Sequence, residues 1–66
     1  MKRLITLTVE DLSEAKDKVR NALRKLDSNS EMLVLSHSDI SYLFKGYSVE
    51  KGKDEEGIWV IRVKKN

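Results

Sequence analysis

Four consecutive residues, Ser36–His37–Ser38–Asp39, include every side-chain type of a hydrolase triad. A triad needs a base held in space between a nucleophile and an acid, and four neighbours at the end of a strand do not place their side chains in that way. Short polar side chains of this kind commonly bond to nearby backbone groups in turns and helix caps. We therefore interpret the string as turn and capping residues with a surface histidine, and we predict no catalytic residues.

The sequence lacks the side chains that metal binding or thiol chemistry would need. The 66 residues include no cysteine and one histidine, which excludes disulfides, thiolate nucleophiles and cysteine-ligated zinc or iron–sulfur clusters. His37 has only Asp39 near it in sequence, and the acidic run 54–56 lacks the spaced ligands and turn glycine of a calcium loop. The sequence thus predicts neither a metal site nor a cofactor.

Basic side chains form two groups. Lys16, Arg20 and Arg24 recur four apart on a predicted helix, but residues 10–27 hold five basic and five acidic side chains, which favours a solvated face with ion pairs. The second group has fewer acidic neighbours and is a candidate contact for nucleic-acid phosphates if the first and last strands lie close together. The members of this candidate basic patch are Lys2, Arg3, Arg62, Lys64 and Lys65. The net charge of +2 is too small to indicate nucleic-acid or membrane binding by itself.

Hydrophobic periodicity predicts the elements that position these residues. The segment 2–9 alternates apolar and polar side chains, which is typical of a half-buried strand. Asp11 is a candidate N-cap with Glu14 three residues later, and the apolar spacing that follows predicts a helix over 12–26. Its apolar stripe consists of Leu12, Ala15, Val19, Ala22, Leu23 and Leu26. The polar residues 27–30 have the turn chemistry that ends a helix.

The second half of the chain predicts one more strand, a short helix and a hairpin. The unbroken apolar run 32–35 favours a central strand covered on both faces. Ile40, Leu43 and Phe44 have the spacing of one or two helical turns, and Gly46 allows the chain to reverse. A strand with Tyr47 and Val49, a polar loop over 51–57 and a return strand over 58–65 complete the hairpin. On the return strand Trp59, Ile61 and Val63 are predicted to face the core.

These elements predict one α+β domain over residues 1–66, with the order β-α-β-α-β-β. In this two-layer sandwich the helices cover one face of a four-stranded mixed sheet. The other face stays uncovered, and its side chains are apolar enough for a contact surface. The candidate interaction face comprises Leu4, Thr6, Ile58, Val60, Arg62 and Lys64.

The pattern resembles the small sulfur-carrier family typified by TusA and SirA-like proteins. The resemblance is carried by segments 19–26 (VRNALRKL), 32–35 (MLVL), 46–49 (GYSV) and 57–64 (GIWVIRVK). Members of the family pass a persulfide on a cysteine of a Cys-Pro-x-Pro motif at the start of the first helix. Those positions fall here on Leu12, Ser13, Glu14 and Ala15. The resemblance therefore implies the architecture of the family, and the missing cysteine implies a degenerate member without the sulfur nucleophile.

The sequence favours a non-catalytic domain that binds a protein partner or a second copy, as a homodimer, through the uncovered sheet face. One alternative is weak nucleic-acid binding through the basic patch, and another is an accessory role in sulfur trafficking beside a cysteine-bearing partner. No apolar run approaches the roughly 18 residues of a membrane span, and no apolar signal-peptide region follows residues 1–3. We therefore expect a cytoplasmic location and no membrane partner.

Overall fold

The computed structural model describes residues 2–66, in which four strands and one α-helix form two layers. The strands are β1 (Arg3–Val9), β2 (Ser30–Ser36), β3 (Ser48–Lys53) and β4 (Trp59–Lys64). The helix α1 (Leu12–Leu23) follows β1, and a single turn of 3₁₀ helix (Ser41–Phe44) lies between β2 and β3. An α+β domain with a four-stranded mixed sheet is therefore confirmed.

The strand order across the sheet is β1-β2-β4-β3. β1 runs parallel to β2, while β4 is antiparallel to both β2 and β3. β2 thus separates β1 from β4, so the first and last strands are not neighbours. α1 packs mainly over β1, and the 3₁₀ helix lies beside β3 on the same side of the sheet.

α1 begins where the capping signal predicted. The Asp11 carboxylate accepts a hydrogen bond from the backbone N–H of Ser13 at 3.1 Å, which satisfies one of the free donors of the first turn. The helix ends at Leu23, three residues before the predicted end, and a tighter turn carries the chain on to a buried Leu26. The prediction that Leu12 belongs to the buried stripe is wrong: it is 55% exposed, because it lies one turn ahead of Ala15, the first helical residue buried against the sheet.

The predicted second helix is only the 3₁₀ turn. Ile40 and Phe44 are buried as the spacing indicated, and Leu43 is half-buried. The turn cannot continue, since Lys45 has extended backbone angles and Gly46 has φ +94°, a left-handed conformation that glycine adopts without steric cost. A segment of this length covers part of the core without forming an α-helix.

The hairpin loop is shorter than predicted. Residues 51–53, assigned to the loop from their polarity, continue β3 and pair with Ile61, Val60 and Trp59. The reversal is made by residues 54–58, where the Asp54 carboxylate accepts hydrogen bonds from the backbone of Glu56 at 2.9 Å and of Ile58 at 2.8 Å. Ile58 therefore lies in the turn rather than in β4.

The core lies between the sheet and its covering segments. Its fully buried side chains include Met32, Val34, Ile61 and Val63, so the predicted inward positions of Ile61 and Val63 are confirmed. Trp59 is only half-buried at the margin of this core.

The prediction that β2 is covered on both faces is wrong. Leu33 and Leu35 are half-exposed, because within residues 2–66 all the covering elements lie on the other side of the sheet.

Candidate interaction surface

The uncovered side of the sheet, called here the open face, has a regular layout of three rows across four strands. Because side chains alternate along a strand and paired residues share a side, the registers place every second residue on this face. In the order β1, β2, β4, β3, the rows are Leu4–Glu31–Lys64–Ser48, Thr6–Leu33–Arg62–Glu50 and Thr8–Leu35–Val60–Gly52.

Apolar side chains on the two central strands form a group in the second and third rows of the open face. Leu33, Leu35 and Val60 adjoin one another on β2 and β4 and are half-buried, while Leu4 at the β1 edge is 62% exposed. Gly52 lies opposite Val60 and has no side chain to cover it, which leaves a shallow depression of about 280 Å³. The result is a small apolar group with a shallow depression beside it.

The charges that border this patch are balanced. The Nε atom of Arg62 lies 2.9 Å from a Glu31 carboxylate oxygen in an ion pair, and Arg62 lies directly opposite Glu50 on β3. Lys64 lies directly opposite Glu31 on β2. Two acidic and two basic side chains therefore accompany the apolar centre.

Five of the six residues predicted for the interaction face lie together on the open face: Leu4, Thr6, Val60, Arg62 and Lys64. Ile58 precedes β4 in the turn. Sequence reasoning missed Leu33 and Leu35, the most central of the apolar residues. The available signal was the alternation of β2 itself, since a sheet covered on one side must turn every second residue of an apolar run outward.

The candidate basic patch does not form one continuous surface. Arg62 and Lys64 lie on β4, whereas Arg3 lies two strands away and bonds to Asp27 at 3.1 Å. The Arg62 guanidinium forms an ion pair with the Glu31 carboxylate. Lys2 and Lys65 are exposed near the chain ends, and Glu31 separates the β1 end of the group from Lys64.

The string 36–39 has the turn geometry that we predicted. Ser36 is buried and its hydroxyl accepts from the backbone N–H of Ser38 at 3.2 Å. One oxygen of Asp39 accepts from the backbone of Ser41 at 3.0 Å, and the other accepts from the Lys51 ammonium at 2.6 Å. His37 is exposed. Asp39 thus bonds to a lysine of β3 rather than orienting the histidine.

Lys51 is a linking residue that sequence reasoning missed. Besides Asp39, its ammonium donates to the Ser41 hydroxyl at 3.1 Å and lies 5.7 Å from the centre of the Trp59 ring. The Lys53 ammonium lies at the same distance from that ring. Hydrogen bonds from Lys51 and Ser41 lower the pKa of Asp39 from 3.8 to about 2. The network ties the segment before the 3₁₀ helix to β3.

The helix surface carries the predicted ion pairs. Lys18 lies 3.4 Å from Glu14 and Arg20 lies 3.9 Å from Asp17, at spacings of four and three residues. Because Glu14 pairs with Lys18, its carboxylate does not return to Asp11 as in a full capping box. Such exposed pairs contribute little stability, roughly 0.3–0.5 kcal/mol each.

Residues 2–66 do not bring together three Asp, Glu or His side chains as possible metal ligands. The acidic run 54–56 lies exposed in the hairpin turn. Leu12 is an exposed aliphatic side chain in the first turn of α1.

Comparisons with known proteins give no match to the chain among protein-family models, curated proteins or solved structures. Over the described residues, the structure contains no helix with the length and apolar character needed to cross a lipid bilayer.

Proposed function

We propose that the chain is a non-catalytic, cytoplasmic domain of TusA/SirA-like architecture that self-associates by packing the open faces of two copies together. The observation that carries this proposal is the half-exposure of Leu33 and Leu35 beside Val60, at the centre of a sheet face that residues 2–66 leave uncovered. Apolar side chains grouped in this way on a flat sheet gain free energy when a second surface removes them from water.

A second copy suits the face because the face is self-complementary. A two-fold interface places the same patch on both sides, so its charges must satisfy each other across the axis. Glu31 and Glu50 match Arg62 and Lys64 in number, and each acid already lies next to a base within one copy. Two faces can therefore meet with their leucines in contact and with acids placed against bases.

The size of the face predicts weak, concentration-dependent association. Four strands about 4.8 Å apart and three rows about 7 Å apart cover roughly 400 Å² per copy. Two such faces together fall below the ~1,200 Å² that stable interfaces usually bury. The dimer is therefore expected to form at high protein concentration and to dissociate on dilution.

Nucleic-acid binding through the basic patch is less favoured by the geometry. Arg3 and Arg62 are each bound to a carboxylate, and β2 separates the two strands that carry the patch. A role in sulfur trafficking would need a partner to supply the cysteine that Leu12 replaces. Titration with oligonucleotides at about 50 mM salt, where phosphate contacts are strong, tests the first alternative.

Sedimentation equilibrium over a range of protein concentrations tests the proposal. The native chain is expected to approach twice the monomer mass at high concentration, and Leu33→Lys is expected to stay monomeric because it places a charge at the centre of the interface. Leu12→Lys adds the same charge to another exposed leucine and should associate like the native chain. Circular dichroism establishes that both variants are folded.

Two results would reject this proposal. One is a native chain that keeps the monomer mass at millimolar concentration. The other is a folded Leu33→Lys that associates as the native chain does.

A further inference from the structure

The two edge strands of the sheet differ in the features that discourage pairing with another chain. β3 carries Glu50, Lys51 and Lys53 and a glycine, which discourage pairing with another chain. β1 is uncharged from Leu4 to Val9, has neither proline nor glycine, and pairs with β2 at all seven residues without a bulge. An uncharged edge strand without a bulge is a template for an added strand.

The register identifies the backbone groups that β1 presents to solvent. The Arg3 N–H donates to the Asn29 carbonyl at 2.9 Å, so the peptide groups of the odd-numbered residues point toward β2. The N–H and C=O groups of Leu4, Thr6 and Thr8 then point outward. The Thr8 carbonyl accepts from the Lys18 ammonium at 3.3 Å, which agrees with this assignment.

A groove of about 320 Å³ runs between this edge and α1. Its floor includes Ile5 and Leu7, which remain half-buried while their partners on β2, Met32 and Val34, are fully buried. The groove is lined by Ile5, Thr6, Leu7, Thr8, Lys18, Asn21, Ala22 and Lys25. A strand hydrogen-bonded to β1 would direct every second side chain into this space.

The charge of the groove indicates the chemistry of its occupant. On the helix side the charged lining residues are Lys25 and Lys18, whose ammonium also lies 3.4 Å from the Glu14 carboxylate, with the Asn21 amide between the two lysines. The two lysines are seven residues apart, Lys18 on α1 and Lys25 in the turn that follows it, which is roughly 10 Å at a helical rise; strand residues two and four apart are separated by about 7 and 13 Å. We propose that an extended acidic segment of a partner protein adds to β1 as a fifth strand, with alternate carboxylates against Lys18 and Lys25.

A second copy of this chain does not fit the same place. α1 packs over β1 itself, so symmetric pairing of two β1 strands would bring two helices to about one strand spacing, ~5 Å, whereas packed helices need about 8–10 Å. It would also bring two sets of like-charged lysines together. The groove and the self-associating open face are therefore separate surfaces for different partners.

The probe for this proposal is a synthetic peptide of alternating Glu and Val, about nine residues long so that it spans β1, with both ends blocked. In ¹⁵N-resolved NMR titrations the amide signals of Leu4, Thr6 and Thr8 are expected to shift and their hydrogen exchange to slow. The double variant Lys18→Glu/Lys25→Glu should weaken binding by about tenfold or more. Lys45→Glu/Lys65→Glu, which makes the same charge change at two exposed lysines outside the groove, should bind like the native chain.

A second peptide, N-methylated at the residues that would pair with β1, separates strand addition from attraction by charge alone. It keeps the carboxylates but lacks the donors that strand addition needs, so its binding should be lost. Equal binding of both peptides, or binding that leaves the three β1 amides unchanged, would overturn the proposal. The titrations use Leu33→Lys as well as the native chain, so that self-association and strand addition are judged independently.

Discussion

Adjacent residues of β2 have opposite environments. Met32 and Val34 are completely buried, whereas Leu33 and Leu35 are half-exposed. All four are apolar and share one backbone, so their own hydrophobicity does not explain the difference. The deciding factor is the layer above each face: α1 and the 3₁₀ segment cover the core face, and residues 2–66 place no element over the open face.

The covered face is itself divided between two unequal segments. α1 covers the β1 side, while the short segment containing Ile40 and Phe44 lies on the β3 side. A single 3₁₀ turn therefore covers the part of the core that a second helix would cover in a larger domain. Its few side chains should be correspondingly important for stability.

The largest expected effect concerns Phe44 in that turn. Phe44 is 1% exposed and Tyr42, two residues earlier, is 67% exposed. Phe44→Ala should cost about 3–5 kcal/mol of unfolding free energy, a large part of the roughly 3–10 kcal/mol expected for a domain of this size. Tyr42→Ala should cost about 0.5 kcal/mol or less. Urea denaturation measures both, and similar costs would show that the turn does not cover the core.

A smaller difference in unfolding free energy is expected between substitutions on the two faces of β2. Met32→Ala removes a fully buried side chain and should cost about 2–5 kcal/mol. Leu33→Ala removes one that stays in partial contact with water in the monomer, so about 1 kcal/mol is expected in dilute protein. Urea denaturation at several protein concentrations provides the comparison.

The Leu33→Ala experiment also relates the open face to self-association. If two copies pack through this face, dimerisation stabilises the native chain by mass action, and the cost of Leu33→Ala grows with protein concentration. The cost of Met32→Ala in the dilute range should remain the larger of the two. Equal costs for the two variants in dilute protein would contradict the distinction between the faces.

The features that the sequence predicted correctly have local causes. The Asp11 cap, the buried positions of Ala15 and Val19 and the reversal at Gly46 each depend on side chains within a few residues. The wrong boundary of the hairpin loop involves backbone pairing with the neighbouring strand. Residues 51–53 are polar, but their backbone completes the ladder with β4, and composition alone does not indicate that.

The same distinction between local and non-local causes applies to the residues of the candidate interaction surface. Val60, Arg62 and Lys64 were predicted to share a face because alternation within one strand fixes their side. The exposure of Leu33 and Leu35 follows from the covering of the sheet on one side only, which the sequence predicted for the domain but which was not applied to the apolar run of β2. The separation of Arg3 from Arg62 depends on β2 lying between their strands. Strand order is a non-local property of the fold, so it was established only by the structure.

The smallest predicted effect is the pH dependence of the link between Asp39 and Lys51, which holds the covering segment to β3. The pKa of Asp39 is lowered to about 2 from 3.8, so its link stabilises the fold above about pH 4 and this contribution is lost as the pH falls through about 2. Lys51→Met removes the principal cause of the shift, and the pKa of Asp39 should then return toward 3.8.

Lys53→Met is the matched control, since Lys53 also lies 5.7 Å from Trp59 but is not the lysine bonded to Asp39. NMR titration of the Asp39 carboxyl carbon measures this pKa in each protein, and urea denaturation between pH 5 and 2 measures the accompanying loss of stability. Asp27, whose pKa is lowered by hydrogen bonds from Asn29 and Ser30 and by Arg3, adds a dependence of the same sign to all three proteins, so the difference between them isolates Asp39. An Asp39 pKa near 3.8 in the native chain, or one that Lys51→Met leaves unchanged, would show that this contact does not secure the covering segment.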